Sequence, residues 1–256
     1  PVGLRAFPML LKLLLLFFLG SYSLNVVGDY GVKMALLTIL TTFFGLETFN
    51  ITNKVFISDN DYFKKSYTSY LTLSSLLFLT CILLLFLCSI IFRFDTVFYY
   101  GICAIAFIEY LLMEYYRIIM ISKSTIYINK FYFFKNGLWP IAFALTIYLS
   151  QSLGKAFLSY FAVQFTIVIF LFFKHFNILK KFKTPKITYI DVSFLVYALR
   201  AVILRSNQYM DRFSSSYFLG DKITGVLVLL TTLANFVGQI GEAIVVPVYY
   251  KQILNK

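Results

Sequence analysis

The sequence predicts an all-α polytopic membrane protein of about eight transmembrane helices, arranged as a six-helix N-terminal lobe plus the first hairpin of a second lobe. Three observations predict it. Of the 256 residues, 60% are hydrophobic and only 13% charged, with a mean hydropathy of +0.82. Soluble domains are about one quarter charged. The apolar residues come in blocks of about twenty, enough for a helix to cross ~30 Å of hydrocarbon. Basic residues gather at alternate ends of these blocks, as they do in helical membrane proteins. No two-residue alternation dominates, so an outer-membrane barrel is not indicated.

The spans follow in order. The first is read over Phe7 to Val27 and ends in the turn Gly28-Asp29-Tyr30-Gly31. The second covers Val32 to Phe56, and the polar stretch Ser58 to Lys65 separates it from the third, Tyr67 to Phe92. A short Arg93-Phe94-Asp95 link leads to the fourth, Thr96 to Met120. A polar loop, Ser122 to Lys135, precedes the fifth, Gly137 to Ser150, which carries Trp139-Pro140 near its start. The sixth covers Ala156 to Phe173 and is followed by a basic loop, His175 to Lys186. The seventh covers Tyr189 to Leu219 and the eighth Ile223 to Tyr250. The boundaries of the two lobes then fall at residues 1–186 and 187–256.

Charge orients the bundle. With the N-terminus in the cytoplasm, the opposite side carries only Lys33, Arg93, Lys155 and Lys222. The remaining lysines, with Arg5, fall at cytoplasmic ends, as the positive-inside rule requires. The net charge of +12 is therefore loop charge, and no nucleic-acid partner is implied. Cys81, Cys88 and Cys103 sit in apolar runs and read as small core thiols. There is no CxxC pair and the one histidine, His175, lies in a basic loop, so no metal or other cofactor is expected. No P-loop, HExxH or Ser-His-Asp set appears, and the reading is not an enzyme.

An internal repeat is visible. The turn Gly28-Asp29-Tyr30-Gly31 resembles Gly220-Asp221 followed by Gly225-Val226, and from Gly31 and Gly225 onward the two helices run in step. Thr38 then meets Thr232, and Phe56 meets Tyr250. Duplicated helix bundles of this kind are common in transporters. The repeat, with the missing initiator Met, leads to the expectation that the chain is an N-terminal fragment of a longer protein.

Ionisable groups inside spans are candidates for function because lipid does not solvate them. The seventh span is the most unusual, with Arg200, Arg205, Asp211 and Arg212 beside Asn207 and Gln208. A helix so charged is expected to line a wet cavity, and guanidinium forks match phosphate oxygens. Arg200 could instead reach to the interface, and Asp211 could pair with Arg212. The fourth span holds Glu109, Glu114 and Arg117; Glu114 and Arg117 are spaced for an intrahelical ion pair, and Glu109 could bind a coupling cation or pair with Arg205. Glu47 lies with Asn50 and Asn53 on a polar stripe of the second span, and Glu242 lies in the eighth.

The Gly28-Asp29-Tyr30-Gly31 segment and the Gly45 to Asn53 region are similar to the start of polysaccharide flippases of the O-antigen (Wzx) type. These belong to the multidrug/oligosaccharidyl-lipid/polysaccharide exporter superfamily. The stretch Asn207-Gln208-Tyr209-Met210-Asp211-Arg212-Phe213, with Tyr217-Phe218-Leu219-Gly220-Asp221, Gly225-Val226 and Pro247, resembles that family's seventh and eighth helices. Leu227 stands where the family usually has an aromatic residue, and the first turn lacks the common proline. The resemblance implies two six-helix lobes in the bacterial inner membrane and alternating access. It implies flipping of an undecaprenyl-diphosphate-linked oligosaccharide, driven by a proton or sodium gradient. Substrate contact would fall to Arg200, Arg205 and Arg117, and coupling or gating to Glu47, Glu109 and Asp211. A small-molecule exporter of the same superfamily is the alternative. A membrane-embedded polymerase or glycosyltransferase is less favoured, because no large outer loop is present to hold catalytic groups.

Overall fold

A computed structural model of the chain describes residues 3–45, 72–84, 86–87, 97–122, 125–179 and 192–236. Eight helices and no strand are found among the described residues: α1 (Gly3–Tyr22), α2 (Leu24–Gly45), α3 (Thr72–Leu84), α4 (Val97–Ser122), α5 (Thr125–Ser150), α6 (Leu153–Leu179), α7 (Val192–Leu219) and α8 (221–236). Among the described residues, four segments are long and apolar enough to cross a membrane: Leu4–Tyr22, Leu24–Gly45, Phe98–Tyr116 and Leu153–Lys174. Large apolar side chains face outward on them, among them Leu14, Tyr99, Leu158 and Phe173, where hydrocarbon rather than water is the compatible surrounding. The protein is an all-α polytopic membrane protein.

Three expected boundaries move, one of them at the end of α6, which continues through His175 to Leu179. The first turn is not at Gly28 to Gly31. The chain passes from α1 to α2 through the single residue Ser23, and the Gly-Asp-Tyr-Gly segment lies inside α2. Ser23 serves both ends: its N–H donates to the Leu19 carbonyl (3.2 Å), and its carbonyl accepts from the Val27 N–H (3.3 Å). Its Oγ accepts from the Asn25 N–H at 3.1 Å, which caps the second helix. The chain folds back far enough that a Cβ on Gly20 would meet Val27 at 3.9 Å. Glycine inside a membrane helix is no breaker when a neighbouring backbone needs the space.

The second shift is at α5, which begins at Thr125, so the polar stretch expected as a loop is mostly helix. Asn129, within that stretch, finds a partner on α1 instead of water, as described below. Pro140 lies within α5 and removes the N–H that would reach the Asn136 carbonyl, a defect that membrane helices tolerate.

The chain divides into two compact units. One comprises residues 1–33, 118–163 and 211–256, the other 34–117 and 164–210. In the first unit, α1 and α5 run in the same direction. Arg5 meets Asn129 and Lys12 meets Asn136 with the same separation of 124 residues, and Phe7 stacks on Phe133 with centroids 5.5 Å apart. An aromatic core completes the unit. Trp139 is 2% exposed and stacks on Tyr160 at 4.4 Å. Phe143 sits edge-on to Trp139, Tyr30 and Phe157 at 6.2, 5.5 and 5.3 Å. The turn between α5 and α6 places Gln151 at φ 49°, a left-handed conformation uncommon outside glycine. Ser152 then accepts the Ala156 N–H at 3.1 Å to start α6.

In the second unit, Phe78 stacks on Phe107 at 4.5 Å, and both rings meet Phe44 edge-on at 5.7 and 6.0 Å. Gly45 leaves room for the Tyr110 ring, which would lie 3.3 Å from an added Cβ. Polar groups here are tied internally. The Thr41 hydroxyl donates to the Leu37 carbonyl at 2.8 Å and reaches the Ala106 carbonyl at 3.4 Å, while the Ser74 hydroxyl donates to the Tyr110 oxygen at 2.9 Å. Bonds to the carbonyl one turn back let hydroxyl residues lie in an apolar helix with no unsatisfied donor.

Candidate functional site: the polar face of α7

At ~1.5 Å per residue, the 28 residues of α7 span about 42 Å. At ~100° per residue, Arg200, Arg205, Asn207, Gln208, Asp211 and Arg212 fall within about half of the helix circumference. Leu199, Ile203, Met210 and Tyr217 occupy the opposite side. Both sides are exposed over most of the helix; Ala201 and Ser215, which fall within the polar arc, are buried. The apolar side suits lipid. The polar side does not, because charged groups in hydrocarbon cost several kcal/mol. It needs water, an ionic ligand or other protein against it.

The individual residues divide as follows. Arg200 is exposed on the polar side. Arg205 is exposed there too, and its guanidinium donates to the Gln208 side-chain oxygen at 2.9 Å rather than to Glu109. That bond leaves the charge of Arg205 in place, since an amide carries none. Asp211 is exposed, and its carboxylate accepts from the Arg212 backbone N–H at 2.8 Å. Glu109 and Glu114 are buried in α4, 8% and 4% exposed. Arg117 lies on α4, but its side chain is outside the described residues, as are Glu47 and Glu242 altogether.

A second polar set was not singled out by the sequence. Lys12 lies inside α1, ~14 Å along the helix from Gly3, and not at its cytoplasmic end as the charge count had it. Its ammonium donates to the Asn136 side-chain oxygen at 3.1 Å and lies 5.6 Å from the centre of the Trp139 ring, within cation–π range. Arg5 donates to the Asn129 side-chain oxygen at 2.7 Å, and Asn129 and Lys135 are both buried. The legible trace of this set was spacing. Arg5 and Lys12 are two turns apart on one helix, as are Asn129 and Asn136 on the other, so each pair marks one face.

A third arrangement lies where α2 meets α8. A Cβ on Gly28 would fall on the Asp221 carbonyl oxygen, and a Cβ on Gly225 on the Leu24 carbonyl oxygen. Each glycine therefore aims an α-hydrogen at the other helix's carbonyl, in a weak hydrogen bond worth ~0.5–1 kcal/mol. A Cβ on Gly31 would collide with Val228. The hairpin tip beside this contact is closed by Gly220 at φ +82°, a conformation glycine adopts without strain. A Ser215–Thr224 hydroxyl bond at 3.0 Å and a bond from the Ser216 hydroxyl to Asp221 at 2.7 Å brace the tip.

No protein-family model, curated protein or solved structure matches the chain.

Proposed function

We propose that the protein is a transporter that flips an undecaprenyl-diphosphate-linked oligosaccharide across the bacterial inner membrane, with its N-terminus in the cytoplasm. One observation carries the reading: a membrane-length helix, α7, that presents Arg200 and Arg205 on an exposed polar side. A surface of that kind is useful where an anion must cross a membrane in contact with protein. Guanidinium groups hold diphosphate oxygens through paired N–H donors and keep their charge at every physiological pH. Asn207 and Gln208 add neutral donors and acceptors that suit sugar hydroxyls. The expected partners are the lipid-linked oligosaccharide, the bilayer and a coupling proton or sodium ion, with Glu109, Glu47 and Asp211 as coupling or gating groups and Arg117 as a further anion contact. The two-lobe architecture inferred from the repeat belongs to the same proposal.

The buried carboxyl groups of Glu109 and Glu114 favour a second reading, a cation-coupled small-molecule exporter of the same superfamily. Replacement of Arg205 by alanine separates the two. On the flippase reading, cells carrying Arg205→Ala at normal protein level lose surface polysaccharide, and Arg205→Lys retains a fraction of it. Normal surface polysaccharide in the alanine variant would sink the proposal.

A further inference from the structure

The seam between α3 and α4 has a readable register. The Ser74 hydroxyl donates to the Tyr110 oxygen at 2.9 Å, and Phe78 stacks on Phe107 with centroids 4.5 Å apart. The residue number rises on one helix as it falls on the other, so α3 and α4 run antiparallel. Seven residues, two turns, lead from Ser74 to Cys81, and seven lead back from Tyr110 to Cys103. At ~100° per residue, Ser74, Phe78 and Cys81 fall within about 60° of the α3 circumference, and Tyr110, Phe107 and Cys103 within about 60° of that of α4. The two cysteines therefore form the next layer of the same seam. A second observation agrees: a charge on the Cys81 sulfur is felt at the Cys103 thiol.

Both cysteines are free thiols, and their exposure differs. Cys103 is 3% exposed. Cys81 is half-buried, with Thr80, Leu83 and Leu84 beside it exposed. An oxidant arriving from the bilayer meets Cys81 first, and Cys103 can respond only through Cys81.

We propose that Cys81 and Cys103 are a redox pair, which a small hydroperoxide joins in a disulfide that ties α3 to α4. The class of oxidant follows from the site: it must be uncharged to reach a sulfur among apolar side chains, and it must take two electrons. The Cys81 sulfur attacks the terminal oxygen of the hydroperoxide and the O–O bond breaks. The Cys81 thiol proton goes to the departing oxygen, which leaves as an alcohol, and Cys81 becomes a sulfenic acid. The Cys103 sulfur then attacks the Cys81 sulfur. The S–O bond breaks, the hydroxide takes the Cys103 proton and leaves as water, and the S–S bond forms. The two thiols have lost two electrons to the O–O bond, and exchange with an added thiol restores them. The inference rests on the α3–α4 register and not on what the protein transports.

The experiment counts free thiols on the full chain in vesicles of saturated phosphatidylcholine. Cys88 is replaced by serine so that only the pair remains. The vesicles are treated with tert-butyl hydroperoxide, the oxidant is removed, and the chain is unfolded in detergent with a maleimide-linked polymer that retards it on a gel once per free thiol. Both tags are expected to disappear together, to return after dithiothreitol, and to leave a chain lighter by two hydrogens in the mass spectrum. Chains that keep both tags overturn the pair. So do chains left with a single tag, where Cys81 is oxidised with Cys103 out of reach, and chains whose tags dithiothreitol does not restore, where each thiol is oxidised alone. In a second variant Cys81→Ser and Thr80→Cys together move the outer thiol about 100° around α3, and Cys103 is expected to keep its tag. Equal loss of both tags in that variant overturns the register, and the natural pair decides the proposal even if the variant fails to fold.

Discussion

Trp139 offers a direct measure of how much the aromatic core holds the first unit together. It is 2% exposed, stacked on Tyr160 at 4.4 Å, edge-on to Phe143 at 6.2 Å, and under the Lys12 ammonium at 5.6 Å. Replacement by alanine removes two ring pairs at ~0.5–1.5 kcal/mol each and a cation–π contact at ~0.5–2 kcal/mol. Truncation of a buried tryptophan in a soluble core costs ~3–5 kcal/mol. Part of that figure is transfer from water, which is largely missing when the competing surrounding is lipid. The packing and cavity parts persist, so the expected loss is about 3 kcal/mol. In a chain of this length that corresponds to a melting temperature about 6–12 °C lower. The assay is detergent-solubilised thermal unfolding, followed by size-exclusion elution, with Tyr148→Ala as the comparison. Tyr148 is 66% exposed and its removal is expected to change stability by less than ~0.5 kcal/mol. A Trp139→Ala shift no larger than that of Tyr148→Ala would refute the reasoning that this cluster is the unit's core.

Two other predictions test single contacts. A double-mutant cycle of Lys12→Met and Asn136→Leu is expected to return a coupling of ~0.6 kcal/mol in detergent unfolding, the usual size for a side-chain hydrogen bond between membrane helices; a coupling indistinguishable from zero removes the α1–α5 bond from the account. Gly101→Ala, exposed in the interior of α4 with nothing near its Cβ position, is expected to stabilise the protein by ~0.5–1 kcal/mol through helix propensity, read as a higher melting temperature.

The errors in the sequence reading share a cause. Gly28 and Gly31 looked like a turn because glycine and aspartate favour turns in isolation. Tertiary structure gives them another use: Gly28 admits the Asp221 carbonyl and Gly31 admits Val228. Ser23, the residue that carries the turn, has no composition signal beyond a good capping hydroxyl. The start of α5 reads as a loop because Asn129, Lys130 and Lys135 are polar; a half-buried partner on α1, Arg5, invisible along the chain, makes helix the better state for Asn129. The charged residues of α7, by contrast, are legible in the sequence; that they share about half of the circumference follows once the helix is continuous from Val192 to Leu219.

What the sequence determined by itself was the surroundings and the all-helical class. Long apolar runs admit one answer in a bilayer, since every backbone N–H must be satisfied within its own segment. The run of charged residues from Arg200 to Arg212 likewise marks α7 in the sequence. The tertiary structure alone decided which helices touch: that α1 runs alongside α5 with Lys12 between Asn136 and Trp139, and that Gly28 faces Gly225. Between helices already surrounded by lipid there is little hydrophobic force to leave a pattern in the sequence. Partners are chosen by close fit and by a few polar contacts, and a fit is a property of two surfaces, which no single run of residues contains.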